Sequence, residues 1–450
     1  MTATVRSIGN CPPKPKVGYQ HPKVYSIQVI TPIFGGGVEL RVNDPITLIR
    51  PSSIRGHLRF WWRATRGTRC NTVDELRQRE GAIWGTMENP SNVVVEVSVR
   101  SKGKRYFCAD LGHKGRYIVK KELPSYVLFP FQGNARKNEK PAECTPDIFF
   151  DLALTYPRAI YQDVEAAVWA WVNFGGIGAR TRRGCGALFC NEFSPQIAES
   201  NSSEALSKWY SQHLIKYGII TGSLPKNWPT LPSKLLIHGQ SFETMTAWST
   251  AIDLLHKFRQ GKNIGRYPGK GTRPSRSMWP EPDSLRAITH EGDSRHLISI
   301  TLNFEEEMPA FPRAELGLPI VFKFMGADGI NNSQLYPFDE DKGTVQPMRM
   351  SSPIILRPLL FGDKTNGKDA KAMALCMVTQ RPSGVLLDGD KTGIKQYDAS
   401  HIHRPTLADY PKSPMGAPEW GKLKRSKSGS ALDAFIEFAM EKGNDFFEVG

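Results

Sequence analysis

Apolar and polar residues alternate with two different periods along the first part of the chain. Apolar side chains at every second position, or in short runs, predict strands at 24–30, 92–99, 148–155 and 187–193. Apolar side chains three and four positions apart predict helices at 53–65 and 161–174. The elements therefore follow the order strand, helix, two or three strands, helix, strand. This βαββαβ order is typical of an antiparallel sheet with two helices on one face.

Residues 110–147 interrupt this order after a short return strand at 105–109, and their prolines and glycines indicate an insertion. We place the first domain at 1–193, with the ferredoxin-like topology that βαββαβ describes. Residues 194–232 are interpreted as a connection, because a modest helix at 204–217 is followed by several prolines.

The pattern in residues 233–450 predicts a second α+β domain with insertions. Helical spacing occurs at 242–257 and again at 430–443, where Ser430 is a candidate N-cap. Strand patterns occur at 297–304, 319–324 and 352–357, while 372–378 suits either a strand or a short helix.

The chain is strongly basic, since it carries 59 Lys and Arg against 44 Asp and Glu, a net charge of +15. Residues 1–193 account for +12 of this excess, which indicates a surface that binds an anionic partner, most often nucleic acid. No apolar run approaches the ~18 residues of a membrane span, so no membrane partner is expected. Seven scattered cysteines without a C-x-x-C pair, and no apolar signal-peptide core, favour a cytoplasmic protein.

The segment 50–69 contains six arginines and no acid: Arg50, Arg55, Arg59, Arg63, Arg66 and Arg69. On a helix, Arg55, Arg59, Arg63 and Arg66 lie within roughly 80° of one another, beside an apolar stripe with Trp61. Like charges so placed repel, and RNA phosphates would relieve this. The alternative is that acids elsewhere in the fold pair with these arginines. Trp62, at the stripe's boundary, either packs in the core or stacks on a base.

A glycine-rich loop at 175–186 contains Arg180, Arg182 and Arg183. Successive amides in such a loop can form a nest for phosphate oxygens, although a plain surface turn is the alternative. The loop is neither a P-loop nor a dinucleotide fingerprint, because it runs from helix to strand rather than from strand to helix.

Within this loop, Gly176-Ile177-Gly178, five residues and Gly184-Cys185-Gly186 form a G-h-G-x5-G-h-G pattern. The chain thereby resembles the RAMP superfamily of CRISPR proteins. The strings at 31–36 and 53–64 narrow the resemblance to type III-B (Cmr) effector subunits at the crRNA 3′ end. Further strings that fit the same family lie at 276–282, 311–319 and 352–358.

This resemblance implies two ferredoxin-like, RRM-related domains that bind crRNA, help to capture single-stranded target RNA, and contact other RAMP subunits of the Cmr effector. Cleavage in such complexes is attributed to other subunits, so we expect no catalytic residue, cofactor or metal. The expected RNA contacts are Arg50, Arg55, Gly56, Arg59, Trp62, Arg63, Arg66, Gly176, Gly178, Arg180, Arg182, Arg183, Gly184, Gly186, Arg273 and Arg276.

Three alternatives stay open. The first is a metal-independent endoribonuclease that processes crRNA with His57 or His113 as acid or base. The second is a self-sufficient RNA chaperone. The third concerns residues 257–286, a flexible basic loop with Tyr267 and Trp279, which suits either a nucleic-acid strand or a solvated loop. The acidic runs at 305–307 and 339–341 are interpreted as solvated loops rather than metal sites.

Overall fold

The structure is a computed structural model. It describes residues 22–35, 39–113, 115–196, 203–221, 226–267, 276–291, 309–324, 333–338, 349–361, 369–389, 393–404 and 429–450. The fold is mixed α+β with antiparallel sheets, as expected. Within these ranges no helix combines the length and apolar character that a membrane crossing needs. The predicted strand at 297–304 and both acidic runs lie outside the described residues.

The first half contains strands β1 to β9 and helices α1 to α5. The strands are β1 Lys23–Val29, β2 Ile33–Phe34, β3 Val94–Ser101, β4 Tyr106–Phe107, β5 Ala109–Gly112, β6 Arg116–Val119, β7 Glu143–Thr145, β8 Ile148–Thr155 and β9 Leu188–Cys190. The helices are α1 Pro51–Ala64, α2 Val73–Trp84, α3 Ser125–Leu128, α4 Tyr161–Phe174 and α5 Ser203–Lys216.

The main sheet of this half has the order β3–β8–β1–β9, and every neighbouring pair is antiparallel. Alternate β1 side chains, such as Tyr25 and Ile27, are buried in one core with Leu58 of α1 and Val168 of α4. Both helices therefore cover one face of the sheet, as the periodicity predicted, and leave the other face uncovered by them. Strands β2, β4, β5, β6 and β7 form two small sheets beside it.

Helix α2 has no counterpart among the predicted elements. Thr72 caps it by accepting a hydrogen bond from the Glu75 amide, and Leu76, Ile83 and Trp84 are buried. The charged side chain of Glu80 lies on the same buried face. A carboxylate at a core position interrupts the apolar pattern, and this is why periodicity missed the helix.

The second half contains strands β10 to β17 and helices α6 to α8. The strands are β10 Leu235–His238, β11 Ile320–Phe322, β12 Ser333–Phe338, β13 Ile354–Leu360, β14 Ala370–Cys376, β15 Gly384–Gly389, β16 Gly393–Asp398 and β17 Phe446–Val449. The helices are α6 Thr244–Gln260, α7 Glu281–Thr289 and α8 Ala431–Ala439.

The main sheet of this half has the order β13–β14–β10–β17, again antiparallel throughout. With α6 after β10 and α8 before β17, the strand and helix order of the first half recurs. The ambiguous segment near 372–378 is a strand, and Ser430 caps α8 as predicted. A separate sheet of β11, β12, β15 and β16 is built from segments inserted into this order.

The two ends of the segment 257–286, which was predicted as a basic loop, are helical, whereas 261–267 and 276–280 lie outside any helix or strand. Helix α6 continues to Gln260, and α7 begins at Glu281. Trp279 is buried, with its indole N–H donating to the Arg259 carbonyl at 3.2 Å. The segment's two acids explain this order, because buried Glu281 pairs with Arg313 and buried Asp283 pairs with Arg276.

Candidate nucleic-acid interface

Helix α1 buries the stripe that its sequence predicted, with Ile54, Leu58 and Trp61 in the core. Pro51 occupies the helix start, where its missing N–H costs nothing. Trp62 is also completely buried, and its indole N–H donates to Asp163 at 2.8 Å. Trp62 therefore packs in the core, the first of the two expected alternatives, and neither face of its ring is open to a base in this structure.

Four arginines of this segment pair with acids elsewhere in the fold. Buried Glu80 of α2 accepts from Arg59 at 2.6 Å and from Arg63 at 2.8 Å. Arg50 pairs with Asp44. Hydrogen bonds from two loop amides and from Arg50 lower the pKa of Asp44 to about 2. The side chains of Arg50, Arg59 and Arg63 nevertheless stay 34–39% exposed, so an anion can still reach them.

Arg66 is not available in the same way, since its side chain is only 8% exposed. Its guanidinium donates to the Tyr217 carbonyl at 2.7 Å and lies 3.4 Å from Asp163. Arg66 thus ties the turn after α1 to the residue after α5, and little of its guanidinium is open to an RNA phosphate.

Arg55 and Gly56 differ from the rest of α1. Arg55 is partly exposed and has no hydrogen-bond or ion-pair partner in the described part of the chain, although its Nε is buried. Gly56 is exposed, and a Cβ built there meets no atom within 4 Å. A cation without a partner thus lies beside a helix position with open space above it.

The glycines of the 175–186 loop serve the protein's own backbone. The amides of Ile177, Ala179 and Gly186 donate at 2.9–3.0 Å to carbonyls of Gly186, Phe34 and Pro32. A Cβ at Gly186 would lie 2.0 Å from the Ile177 carbonyl oxygen. These three amides are therefore not free to form a phosphate nest. Gly176, Gly184 and Gly186 are buried, whereas Gly178 is exposed.

Two arginines of the loop attach it to the second half of the chain. Arg182 donates to the Ser352 carbonyl at 2.8 Å, and Arg183 donates to the Ile354 carbonyl at 2.6 Å. Burial, together with the charges of Arg259 and Arg180, lowers the pKa of Arg183 to about 9. These two side chains therefore hold the loop to the second half of the chain, a role that the sequence pattern did not indicate.

Arg357 of β13 completes this attachment. Its side chain is fully buried and donates to carbonyls of Val172, Gly175 and Leu188 at 2.7–2.8 Å. The arginine in the string at 352–358 thus holds both ends of the glycine loop.

The side chain of Arg180 does not attach the loop in this way. It has no hydrogen-bond or ion-pair partner among the described residues, and its guanidinium lies 6.0 Å from the Phe131 ring centroid. Arg259, in the last turn of α6, is also partly exposed and has a buried Nε without a partner. Both guanidiniums are close enough to Arg183 to lower its pKa. Sequence reasoning missed Arg259, although it lies in the basic stretch 257–286, because only the tertiary structure brings α6 to the glycine loop.

A small cavity of about 140 Å³ joins α1 to the glycine loop. Its walls include His57, Phe60, Thr181 and Arg182, and the Arg182 guanidinium lies 5.3 Å from the Phe60 ring centroid. Burial lowers the pKa of His57, whose ring stacks on Trp171 with centroids 6.2 Å apart. His57 is therefore neutral near pH 7. His113 lies exposed in a turn far along the chain, and Arg273 lies outside the described residues.

Residues 26–189 match the family model of the RAMP superfamily. The chain is therefore similar to the RAMP superfamily over this segment. The matched segment contains the arginines of α1 and the glycine loop. It ends within β9, so the elements of the second half lie beyond it.

Two curated proteins of Pyrococcus furiosus are similar to this chain. The CRISPR system Cmr subunit Cmr1-2 is 29% identical over 177 residues, which is 37% of this chain and 92% of that protein. The subunit Cmr1-1 is 24% identical over 153 residues, which is 34% of this chain and 43% of that protein.

Solved structures with similarity to the chain include Cmr1 from Pyrococcus furiosus in its apo form. That comparison has a TM-score of 0.46 at 16% identity and covers 95% of this chain and 98% of the other. A chain of the type III-B Cmr-beta complex bound to cognate target RNA has a TM-score of 0.42 at 13% identity. It covers 85% of this chain and 97% of the other.

Proposed function

We propose that this chain is a non-catalytic RNA-binding subunit of a type III-B CRISPR (Cmr) effector complex. In this role it holds the 3′ region of the crRNA and assists the capture of single-stranded target RNA. The similarity to Cmr1-2 of Pyrococcus furiosus, over 92% of that protein, supports the assignment to a Cmr complex. Other RAMP subunits of the complex are the protein partners in this proposal.

Both halves, 1–193 and 233–450, are ferredoxin-like domains in this proposal. What supports it is the shared order of strands and helices. In each main sheet the first strand of the half lies between the third and the fourth, and the second strand lies at the edge. Four-stranded sheets of this kind are also the frame of RRM proteins, which bind single-stranded RNA.

The observation that carries RNA binding is a set of three partly exposed arginines without a carboxylate partner among the described residues. Arg55 lies on α1, Arg180 on the glycine loop and Arg259 at the end of α6. An unpaired, half-buried guanidinium is unfavourable unless an anion neutralises it. Phosphates do so with bidentate hydrogen bonds, for which the planar guanidinium is well suited.

The half-exposed pairs of α1 extend this surface. Arg50, Arg59 and Arg63 keep about a third of their side chains accessible, and each carboxylate leaves guanidinium N–H groups free for a phosphate. Gly178, exposed at the tip of the loop, allows close approach of an RNA backbone. Arg276 is excluded from this surface because its side chain is buried against Asp283.

The experiment is a salt titration of the affinity for a labelled single-stranded RNA. For single strands the slope of log K against log salt is about 0.7 per phosphate neutralised. Arg55→Ala, Arg180→Ala and Arg259→Ala are therefore each expected to flatten the slope by roughly 0.7. Arg77→Ala is the matched control, because Arg77 is 76% exposed on α2 and, among the described residues, pairs only with exposed Asp74. Three unchanged slopes would remove RNA binding from this surface.

Assembly is tested separately, by purifying the tagged full-length chain from cells that express a complete Cmr operon. We expect the other RAMP subunits and an RNA of defined length to co-purify. RNA of random length without any RAMP partner would instead favour a self-sufficient RNA chaperone.

The absence of catalysis is tested by incubating the chain with CRISPR repeat RNA in EDTA. His57 lines a cavity together with Arg182, which is the observation that favours the alternative endoribonuclease. Cleavage at one site that disappears in His57→Ala, but not in His113→Ala, would overturn the non-catalytic assignment.

A further inference from the structure

A cavity of about 520 Å³ lies on the face of the first sheet that α1 and α4 do not cover. It is several times larger than the cavity beside His57. Side chains of β1, β3 and β8, the edge strand β9 and the residue after it form its walls. Volumes of 300–1,000 Å³ with mostly apolar linings are typical of pockets for small organic groups.

The floor of this cavity is a row of side chains that the strand register brings together. Gln28 of β1 lies opposite Phe149 of β8 on one side and opposite Phe189 of β9 on the other. The Phe149 side chain is 41% exposed, whereas Phe189 is partly buried against a small cluster of the second half that contains Leu360. The Phe149 side chain is therefore open to solvent beside Gln28 on this face of the sheet.

The polar groups of the cavity suit a neutral, hydrogen-bonding ligand. The side-chain amides of Gln28 and Asn191 have no hydrogen-bond partner within the described residues, and each offers both a donor and an acceptor. The one carboxylate, Asp151, already accepts from Arg100 and, at 3.1 Å, from Ser26. Its charge is thus neutralised and does not repel RNA.

We propose that this cavity binds one unpaired nucleobase of single-stranded RNA, stacked on Phe149 with its edge facing the amides of Gln28 and Asn191. A planar heteroaromatic ring with donors and acceptors on its edge is complementary to an open phenyl face between amides. The inference rests on the proposed RNA binding but concerns a different surface. The arginines hold phosphates on the helix side of the domain, and the cavity holds a base on the opposite side.

The two surfaces differ in how salt affects them. Contact with a phosphate releases counterions, whereas stacking of a base releases none. Phe149→Ala is therefore expected to lower the affinity for single-stranded RNA by about 5- to 150-fold, the range for one stacked base, without changing the salt slope. Phe149→Tyr keeps an aromatic face and is expected to retain the affinity.

The experiment combines this affinity with photo-crosslinking of the full chain to an oligoribonucleotide that contains 4-thiouridine. We expect the peptide with Phe149 to be cross-linked in the wild type. Phe107→Ala is the matched control, since Phe107 is 45% exposed on β4 and lies outside the cavity. Urea unfolding of each variant separates a loss of binding from a loss of folding.

Each outcome has a distinct meaning. A wild-type chain that binds RNA, with no loss in Phe149→Ala and no cross-link near residue 149, overturns the base site alone. A wild-type chain that binds no RNA overturns the proposed function together with the base site. Displacement of the cross-link by AMP at concentrations that leave the overall RNA affinity unchanged shows a free-nucleotide pocket and overturns RNA as its ligand.

Discussion

The guanidinium of Arg357 donates a hydrogen bond of 2.7 Å to the carbonyl oxygen of Gly175. This contact joins the central part of β13 to the first residue of the glycine loop, across the two halves of the chain. Arg357 has no carboxylate partner within the described residues, so backbone carbonyls alone compensate its buried charge. The loop that carries Arg180 is thus positioned by a residue 177 positions later in the sequence.

Replacing Arg357 by Met is expected to lower the free energy of unfolding by about 3 kcal/mol, because three buried carbonyls lose a donor at roughly 1 kcal/mol each. Urea unfolding measures this change. Arg77→Met is the control, since an exposed arginine contributes less than about 0.5 kcal/mol. Equal stability of the two variants would show that Arg357 does not anchor the loop.

Replacing Glu80 by Gln is expected to have opposite effects on stability and on RNA affinity. The free energy of unfolding falls by about 1–2 kcal/mol, because two charge-assisted hydrogen bonds are weakened, although the arginines are partly exposed. The RNA affinity rises and its salt slope steepens, because Arg59 and Arg63 become available to phosphates. Salt titration and urea unfolding measure the two effects. Asp74→Asn, at a 92% exposed acid of α2, is the control, and an RNA affinity that falls in Glu80→Gln contradicts the phosphate role of this helix.

Gly56 is expected to separate helix stability from ligand binding. Gly56→Ala fits without a clash and increases the free energy of unfolding by about 0.5–1 kcal/mol, since glycine disfavours helix interiors. Gly56→Gln fills the space beside Arg55 and is expected to weaken RNA binding while the helix stays intact. Thermal unfolding and RNA affinity measure these effects, with Ala82→Gln on α2 as the exposed control. Unchanged RNA affinity in Gly56→Gln would show that RNA does not approach this position.

Lys371 is expected to give the chain a stability that increases with pH in the alkaline range. Burial lowers its pKa to about 8, whereas the unfolded chain has the usual value near 10.5. Between these values the unfolded state binds more protons, so the free energy of unfolding rises with pH. Relative to Lys371→Met, the wild type should gain about 3 kcal/mol between pH 8 and pH 10.5. Urea unfolding at a series of pH values measures the difference, and a constant difference contradicts the lowered pKa.

The sequence alone determined the helices and strands whose apolar side chains form a regular pattern. The bounds of α4 agree with the predicted helix at 161–174, and α1 buries the predicted stripe. In each case one face of the element enters the core, so the periodicity records the burial directly. Helix α2 was not predicted because Glu80 occupies a core position. Helix α7 was not predicted because its buried residues include Glu281 and Asp283.

For the candidate interface, the sequence determined which cations are concentrated near one another, but not which of them are free. Arg55 and Arg59 are neighbours on one face of α1, yet of the two only Arg59 contacts Glu80, which lies 21 positions away on a helix without an apolar pattern. Likewise, the glycines of the loop indicated that another backbone lies close to it. The tertiary structure shows that this backbone belongs to the protein itself. Arg259 belongs to the proposed RNA-binding surface because α6 packs against β13 in the folded chain. Ion pairing and exposure depend on contacts between distant segments, and those contacts exist only once the chain has folded.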